Sequence, residues 1–389
     1  MIRNITVGID IGTYGMRVAI AEHNKGEPWP HILATAEADS SGLRHGYITN
    51  PQEALKSLRR VVAEAEKHSG IRIRKAFLSI NSVSIGSELA TGSAIITKAD
   101  TEVTGLDITK AIDESQEQIS GSNKKILHAI PISYKIDGKE IYGTPQGLHG
   151  AKLEVKTHFV TCLDQHIKSL IDLVSECGIE ILDIVASPLA ASTVTLNERQ
   201  KVAGCMIVDI GAETVSVGVF ENGMLVSTHV FSIGSNDITN DIALGLQVSL
   251  EEAEGVKIGA VLTNVSRKKL DEIVNARLYD IFELIDNYLR KLKRSGLLPA
   301  GAILVGGGSQ IPNIEYIAKD ALKLPVKIGG AEFFHLSKNK VKDPSWMTVY
   351  GVCLATKHNA FDPNEGAGFS GAVKAFKKQC GNIIKQLLP

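Results

Sequence analysis

Short apolar stretches alternate with glycine-rich turns along this chain, and the first such stretch returns later. Val7-Gly-Ile-Asp-Ile-Gly-Thr-Tyr-Gly-Met-Arg-Val-Ala-Ile20 reads as a strand, a D-x-G turn and a second alternating strand, which together make a β-hairpin. The same pattern recurs as Ile207-Val-Asp-Ile-Gly-Ala-Glu-Thr-Val-Ser-Val-Gly-Val219. Asp10 aligns with Asp209, Gly12 with Gly211 and Val18 with Val217. Two copies of one hairpin predict two homologous lobes that face each other.

The remaining periodicities fit around that repeat. Pro51 starts a helix over 51–69, whose apolar side is Ala54, Leu55, Leu58, Val61 and Val62. A strand follows over 71–81, and residues 84–162 interrupt the first lobe with a block of strands and one polar helix near Ile108–Ile119. His166–Cys177 has helical period with Gly178 as its C-cap, Ile181–Ala186 is a strand and Pro188–Leu196 a helix. The second lobe begins near Gly204, with helices over Ile238–Leu246, Ser249–Lys257 and Leu270–Leu292. Ala302–Val305 is an apolar strand running into Gly306-Gly307-Gly308. The predicted division is therefore 1–83 and 163–203 for the first lobe, 84–162 for its insertion, and 204–246 and 300–330 for the second lobe. A small subdomain occupies 247–299, and 331–356 returns to the first lobe. A polar, glycine-rich linker spans 357–371, and 372–389 forms a separate element.

Length and composition agree with this division. With 389 residues the chain exceeds one ordinary core. A net charge of −1 gives no global draw to nucleic acid, which is not expected among the partners. The five cysteines are scattered with no C-x-x-C pair, which favours buried free thiols over a disulfide framework or a zinc site. The first strand starts too early to leave room for a signal peptide, and no apolar run reaches the roughly 18 residues that cross a bilayer. The expectation is a cytoplasmic protein, or one that lies on a membrane without spanning it.

The repeated turns carry the candidate chemistry. Phosphates are cradled by backbone N–H groups where a Cβ would intrude, and magnesium is held by carboxylates through its waters. Gly12 and Thr13 can wrap a phosphate with Asp10 beneath as an outer magnesium ligand, and Gly211 with Asp209 can do the same from the other lobe. Gly306-Gly307-Gly308-Ser309, between a strand and a helix, offers close backbone approach. One D-x-G turn alone is weak evidence; two with a strand–GGG–helix element, in this order, point to a nucleotide.

At these residues the chain resembles the actin/Hsp70/sugar-kinase superfamily, whose phosphate-1, phosphate-2 and adenosine motifs match D-I-G-T, V-D-I-G and V-G-G-G-S. Within it, Ser235–Leu246, Ile126-Leu-His-Ala-Ile-Pro131, Gly147-Leu-His-Gly150 and Leu153-Glu-Val-Lys-Thr-His-Phe-Val160 resemble the FtsA family of bacterial cell-division proteins. The resemblance runs nearly the whole chain. It implies an α/β, actin/Hsp70-like two-lobe fold, with an inserted α+β subdomain of the 1C type in the first lobe and a C-terminal amphipathic helix. It further implies ATP or ADP with Mg2+ as cofactor, with Tyr14, Gly15, Ala212, Glu213 and Gly234 in the nucleotide site. Glu254 and Lys257 would contact the adenosine; from charge pattern alone they read as a solvated helix face.

The chain also departs from the family. Ala212, Glu213 and Ser216 stand where the second phosphate turn usually has glycine, glycine and an acid. Gly15 replaces a lysine, and Ser187 replaces the glutamate of an E-P-L-A motif. Glu213 is expected to bring a carboxylate near the γ-phosphate, where like charges repel. ATP is therefore expected to act mainly as a structural ligand, hydrolysed slowly or not at all.

The tail places Val373, Phe376, Cys380, Ile383, Ile384, Leu387 and Leu388 on one helical stripe, with Lys374, Lys377, Lys378 and Lys385 beside and opposite it. A basic amphipathic helix behind a linker describes an anchor for an anionic membrane. By the resemblance, the small subdomain would bind the C-terminal peptide of FtsZ, with Arg267, Lys268, Lys269 and Arg277 available to it. The insertion would contact the next subunit of a filament and later division proteins. The implied function is an actin-like protein that polymerises, tethers FtsZ filaments to the inner face of the cell membrane at the division site, and recruits further divisome components. A PilM-like pilus-assembly adaptor and a sugar or acetate kinase are the alternatives.

Overall fold

A computed structural model describes residues 4–27, 29–119, 121, 123–260, 266–331 and 342–355. The linker and the tail, with all the candidate membrane residues from Val373 to Leu388, lie outside the described residues.

In the first lobe, β1 (Ile5–Ile11), β2 (Gly15–Glu22) and β3 (His31–Asp39) form an antiparallel meander. A short hairpin follows, β4 (Leu43–Arg44) with β5 (Tyr47–Ile48), then helix α1 (Pro51–Ser69) and β6 (Lys75–Ile80), parallel to β1. α1 starts where predicted because Asn50 Oδ1 accepts the Glu53 N–H and Pro51 needs no partner there. Gly70, at φ 67°, ends it in a left-handed cap. Its stripe of Ala54, Leu55, Leu58, Val61, Val62 and Ala65 is buried. Truncating Leu58, fully buried, to alanine would cost about 2–5 kcal/mol.

The insertion is a four-stranded sheet made of β7 (Gly86–Ile95), β8 (Lys124–Ile136), β9 (Lys139–Ile141) and β10 (Lys152–Leu163), in the order β7-β10-β8-β9. Helix α2 (Gly105–Glu117) lies between β7 and β8 in sequence, a few residues earlier than the periodicity suggested, because Thr104 and Asp107 close a reciprocal capping box. α2 packs so closely on β7 that a Cβ on Gly92 would stand 2.0 Å from the Ala111 carbonyl oxygen. Pro131 sits at a register shift of β8 against β10, where its missing N–H breaks no ladder bond.

The chain then completes the first lobe with α3 (Asp164–Ser175), β11 (Glu180–Ala186), α4 (Ser187–Thr195) and α5 (Glu198–Ala203). The second lobe repeats the plan. β12 (Cys205–Ile210), β13 (Val215–Glu221) and β14 (Met224–Phe231) make the meander, followed by α6 (Ser235–Leu246), α7 (Leu250–Lys257) and α8 (Arg267–Lys291). β15 (Ala302–Val305) and β16 (Val326–Ile328), with α9 (Ile314–Leu322) between them, lie parallel to β12. α10 (Met347–Ala355) returns to the first lobe.

The two five-stranded sheets have one topology. Their orders are β3-β2-β1-β6-β11 and β14-β13-β12-β15-β16, each with three antiparallel strands and then two parallel to the first. The repeat seen in the hairpins thus extends through both lobes. α4 and α10 pack together at the junction, so tightly that a Cβ on Gly351 would stand 1.8 Å from the Ala190 oxygen. Pro188 of α4 also reaches Gly218 of the second sheet.

Two buried histidines tie the insertion to both lobes. His128 Nε2 on β8 accepts the Ala186 N–H of the first lobe at 3.0 Å. His158 on β10 bonds the Leu225 carbonyl of the second lobe through Nδ1 at 3.0 Å and Ser87 Oγ through Nε2 at 2.7 Å. These are the histidines of the I-L-H and T-H-F segments noted in the sequence.

Candidate functional site between the lobes

β1 and β12 both end at the cleft between the lobes and deliver Asp10 and Asp209 there. Ser79 Oγ, at the end of the neighbouring β6, donates to Asp10 Oδ1 at 2.5 Å. Thr348 Oγ1, at the start of α10, donates to Asp209 Oδ2 at 3.1 Å. Burial pushes the Asp10 carboxyl up, against the downward pull of Ser79 and Arg17. Asp209, 8% exposed, is pushed up to about 6, first by burial and then by the charge of Asp10. Asp209 is buried and raised by the charge of the half-buried Asp10, a repulsion that a cation beside the pair would relieve.

The three turns surround this pair. Gly12 N–H donates to the Gly15 oxygen at 3.2 Å, and Gly211 N–H to the Thr214 oxygen at 2.9 Å, closing matching tight turns. Gly306 has φ 85°, and a Cβ there would stand 2.4 Å from Asp209 Oδ1. At Gly307 a Cβ would meet nothing within 4 Å, so the backbone there faces open space. Ser309 is fully buried, with its hydroxyl donating to the Gly306 oxygen at 2.7 Å; it shapes the turn from within. Thr13 is half-buried and Tyr14 is 57% exposed at the tip of the first turn.

Helix α6 is clamped onto the second turn. Ser235 N–H bonds the Gly211 oxygen at 2.9 Å and Asn236 N–H the Ala212 oxygen at 2.8 Å. Gly234 lets this happen, because a Cβ there would stand 2.4 Å from the Ala212 oxygen. Asp237 caps the Gly234 N–H at 2.8 Å.

Glu254 and Lys257 do not lie on a solvated helix face, as charge pattern alone suggested. Lys257 is 6% exposed in its side chain and its Nζ meets Glu254 Oε2 at 2.6 Å, Thr239 Oγ1 at 2.8 Å and the Ser235 oxygen at 3.2 Å. Thr239 Oγ1 also donates to Glu254 Oε2 at 2.5 Å. Burial first, and then the charge of Glu254, raises the Tyr14 phenol, so the first-lobe turn and α7 face each other across the cleft.

Glu213 is placed differently from expectation. Its carboxylate, 16% exposed, does not stand free in the cleft but accepts the backbone N–H of His45 at 2.7 Å, and Arg44 Nε lies 3.6 Å away. The hairpin β4–β5 of the first lobe captures it. Ser187, in place of a glutamate, is buried and donates to the Ile80 oxygen at 3.0 Å. Arg277 is likewise committed, in a bidentate pair with Asp241 at 2.6 and 2.9 Å, and is not a free cation on α8. Arg267, Lys268 and Lys269 are exposed, the Lys268 side chain 87% so.

Ser79, Thr348 and Arg17 were not anticipated from the sequence. Arg17 pairs opposite Asp10 in the β1–β2 register and lowers both cleft carboxyls, so hairpin register alone could have found it. Its guanidinium lies 5.6 Å from the Trp346 ring centre and pairs with Glu37 at 2.5 Å.

A family model described as "Cell division protein FtsA" matches residues 206–351, and one described as "SHS2 domain inserted in FTSA" matches residues 84–161. The cell division protein FtsA of Pseudomonas aeruginosa is 30% identical over 370 residues, covering 90% of this chain and 88% of its own. The chain belongs to the FtsA family. It is a cell-division protein with an actin-like fold. Among solved structures, the PilM–PilN type IV pilus biogenesis complex matches with a TM-score of 0.66 and 14% identity, over 91% of this chain and 98% of that one. MreB5 of Spiroplasma citri bound to ADP matches with a TM-score of 0.52 and 13% identity, over 91% and 96%. These two likenesses concern the fold.

Proposed function

We propose that this FtsA-family chain binds ATP or ADP with Mg2+ in the interlobe cleft, polymerises, tethers FtsZ filaments to the inner face of the cell membrane and recruits later division proteins. The observation that carries the nucleotide reading is the facing pair Asp10 and Asp209, with glycine turns from both lobes around it. Asp10 and Asp209 would hold the cation through its waters, and the turns at Gly12, Gly211 and Gly307 would offer N–H groups to phosphates. Glu254 and Lys257, fixed by Thr239, would meet the adenosine. The cation would relieve the repulsion that Asp10 exerts on the buried Asp209. MreB5, of the same fold, is described with ADP, which agrees with this reading.

Turnover is proposed to be slow. Ser187 offers no carboxylate to orient a water, and Glu213 is occupied by His45. Nucleotide then acts as a clamp between lobes more than as fuel. A steady-state rate above about 1 per second, the low end of ordinary turnover, would overturn this part.

Membership of the family favours this function over a pilus adaptor or a sugar kinase. The exposed Arg267, Lys268 and Lys269 remain available for an acidic–apolar peptide, while Arg277 would act by bracing α8 against α6. The decisive measurement is fluorescence anisotropy with a labelled FtsZ C-terminal peptide. Saturable binding weakened by Lys268→Glu and Lys269→Glu supports the reading, and no binding overturns the FtsZ tether. The tail's part is tested by pelleting the full chain and one ending at Phe369 with vesicles; equal pelleting removes the anchor.

A further inference from the structure

Charge is distributed unevenly over the first lobe. The chain as a whole carries −1, yet between Lys56 and Lys75 seven lysines and arginines stand against Glu64 and Glu66 alone. The fold brings three of these residues, Arg59, Arg72 and Arg74, to one groove beside the C-terminal half of α1. Lys56, Arg59, Arg60 and Lys67 lie on the exposed side of α1, and Arg72 and Arg74 on the loop from α1 into β6. A cavity of about 1000 Å³ opens there, lined by Arg59, Arg72, Arg74, Glu66, Glu176 and the backbone around Gly70 and Gly178. Glu66 is partly occupied, because its Oε1 accepts the Ile73 N–H at 2.6 Å. Arg59 leans on the Glu176 carbonyl at 3.3 Å. Among the described residues no ion pair takes up Arg72 or Arg74. A Cβ at Gly70 or Gly178 would meet nothing within 4 Å, so the rim is open.

The position of this groove in the chain's path gives it meaning. β1, β6 and β11 are parallel and present their C-terminal ends, with Asp10, Ser79 and Ala186, to the cleft side. Their N-terminal ends, near Arg74 and Lys75, therefore lie at the opposite base of the lobe. α10 begins beside Asp209 through Thr348 and passes Gly8 with Val349 and Cys353, so it runs away from the cleft toward that same base. Ala355, where α10 ends, is therefore on this side, and the last 18 residues of the sequence carry the basic amphipathic pattern.

We propose that this arginine-lined face is a second membrane-contact surface, which takes the phosphate groups of anionic phospholipids on the side of the lobe toward which α10 runs. The proposal rests on the tether reading above. Guanidinium forks match phosphodiester oxygens in geometry, and open, unpaired arginines lose little when a headgroup replaces water. Two separated contacts, tail and base, would fix which face of the body meets the bilayer, which a flexible tether alone does not do. The tail is itself basic, so charge opposes its folding back onto this face.

The test uses the full chain with vesicles of phosphatidylglycerol mixed into phosphatidylcholine, and with phosphatidylcholine alone. Each arginine near an anionic surface adds roughly fivefold in affinity, so the variant R72A/R74A is expected to bind the anionic vesicles about tenfold or more weaker and the neutral ones unchanged. The charge-preserving variant R72K/R74K should keep most of the affinity, which separates charge from folding. Equal binding of R72A/R74A and the unsubstituted chain to anionic vesicles overturns the proposal, as does a loss of equal size on neutral vesicles. The tail is judged separately by truncation at Phe369. If truncation leaves binding unchanged, the tail reading falls, and a loss caused by R72A/R74A in that shorter chain would still support this surface.

Discussion

The backbone N–H of His45 donates to the Glu213 carboxylate at 2.7 Å, and His45 Nδ1 reaches the Glu213 carbonyl oxygen at 3.0 Å. One residue belongs to a short hairpin of the first lobe and the other to the second lobe's phosphate-type turn. This contact joins the lobes at the mouth of the cleft. It continues inward, because a Cβ on the adjacent Gly46 would stand 2.0 Å from the Asn81 oxygen, and His166 Nε2 donates to the Gly46 oxygen at 2.7 Å. His166 in turn touches Ser84, at the start of the insertion.

Glu213→Ala is therefore expected to lower stability by about 1.5–3 kcal/mol, the usual range for a hydrogen bond to a charged group. His45→Ala keeps the backbone donor and should cost less. Urea unfolding of the two variants at neutral pH checks the order. Equal losses would mean that the His45 ring, and not its backbone N–H, makes the contact.

Asp209 gives a prediction of opposite sign. Its folded-state pKa, pushed up to about 6, exceeds the ordinary aspartate value of 3.8, so its contribution to stability is full below about 3.8 and is lost as pH rises through about 6. Ligand-free Asp209→Asn should melt higher than the parent at pH 8, while its affinity for ATP with Mg2+ should fall by tenfold or more. Thermal melts and titration with a fluorescent ATP analogue measure both. A lower melting temperature at pH 8 would show that the carboxylate is not electrostatically frustrated.

Gly306→Ala should remove nucleotide binding through backbone geometry. The position needs φ 85°, and the added Cβ would press on Asp209 Oδ1 and the Ile210 oxygen. A stability loss above about 1 kcal/mol is expected from the left-handed conformation alone. Gly307→Ala has room for its Cβ and should fold normally. Calorimetric ATP titration of both variants compares them.

The buried histidines set an acid limit. Burial lowers His158 to about 4, and burial together with the nearby His158 lowers His128 to about 3, both from 6.5. Each stabilises the fold fully above the unfolded value, and that stability drains away as pH falls from about 6.5 through 4 and 3. Replacing His158 by glutamine, which keeps a polar side chain and cannot charge, should flatten the loss of stability between pH 6 and 4. Urea midpoints across that range test it, and an unchanged slope would exclude His158 as a source.

The internal repeat was readable because it is local. A strand, a D-x-G turn and an alternating strand need only neighbours in sequence, and so do the Asn50–Pro51 start and the Gly70 end of α1. From that repeat came the two lobes and the positions of Asp10 and Asp209. The partners of those aspartates were not readable. Ser79 lies 69 residues from Asp10, Thr348 lies 139 from Asp209, and His45 lies 168 from Glu213. Nothing local distinguishes these residues from other polar ones. Glu254 and Lys257 misled for the same reason, since a charged helix turn looks solvated until Thr239 and the Ser235 carbonyl are brought against it. By itself, then, the sequence determined the repeated halves, their helix ends and the residue types at the cleft, because these depend on short-range backbone geometry and hydrophobic period. Only the tertiary structure decided that Glu213 faces His45, that Arg277 is held by Asp241 and that Arg59, Arg72 and Arg74 line one groove. Those are matters of distance between segments that the packing of the two sheets alone brings together.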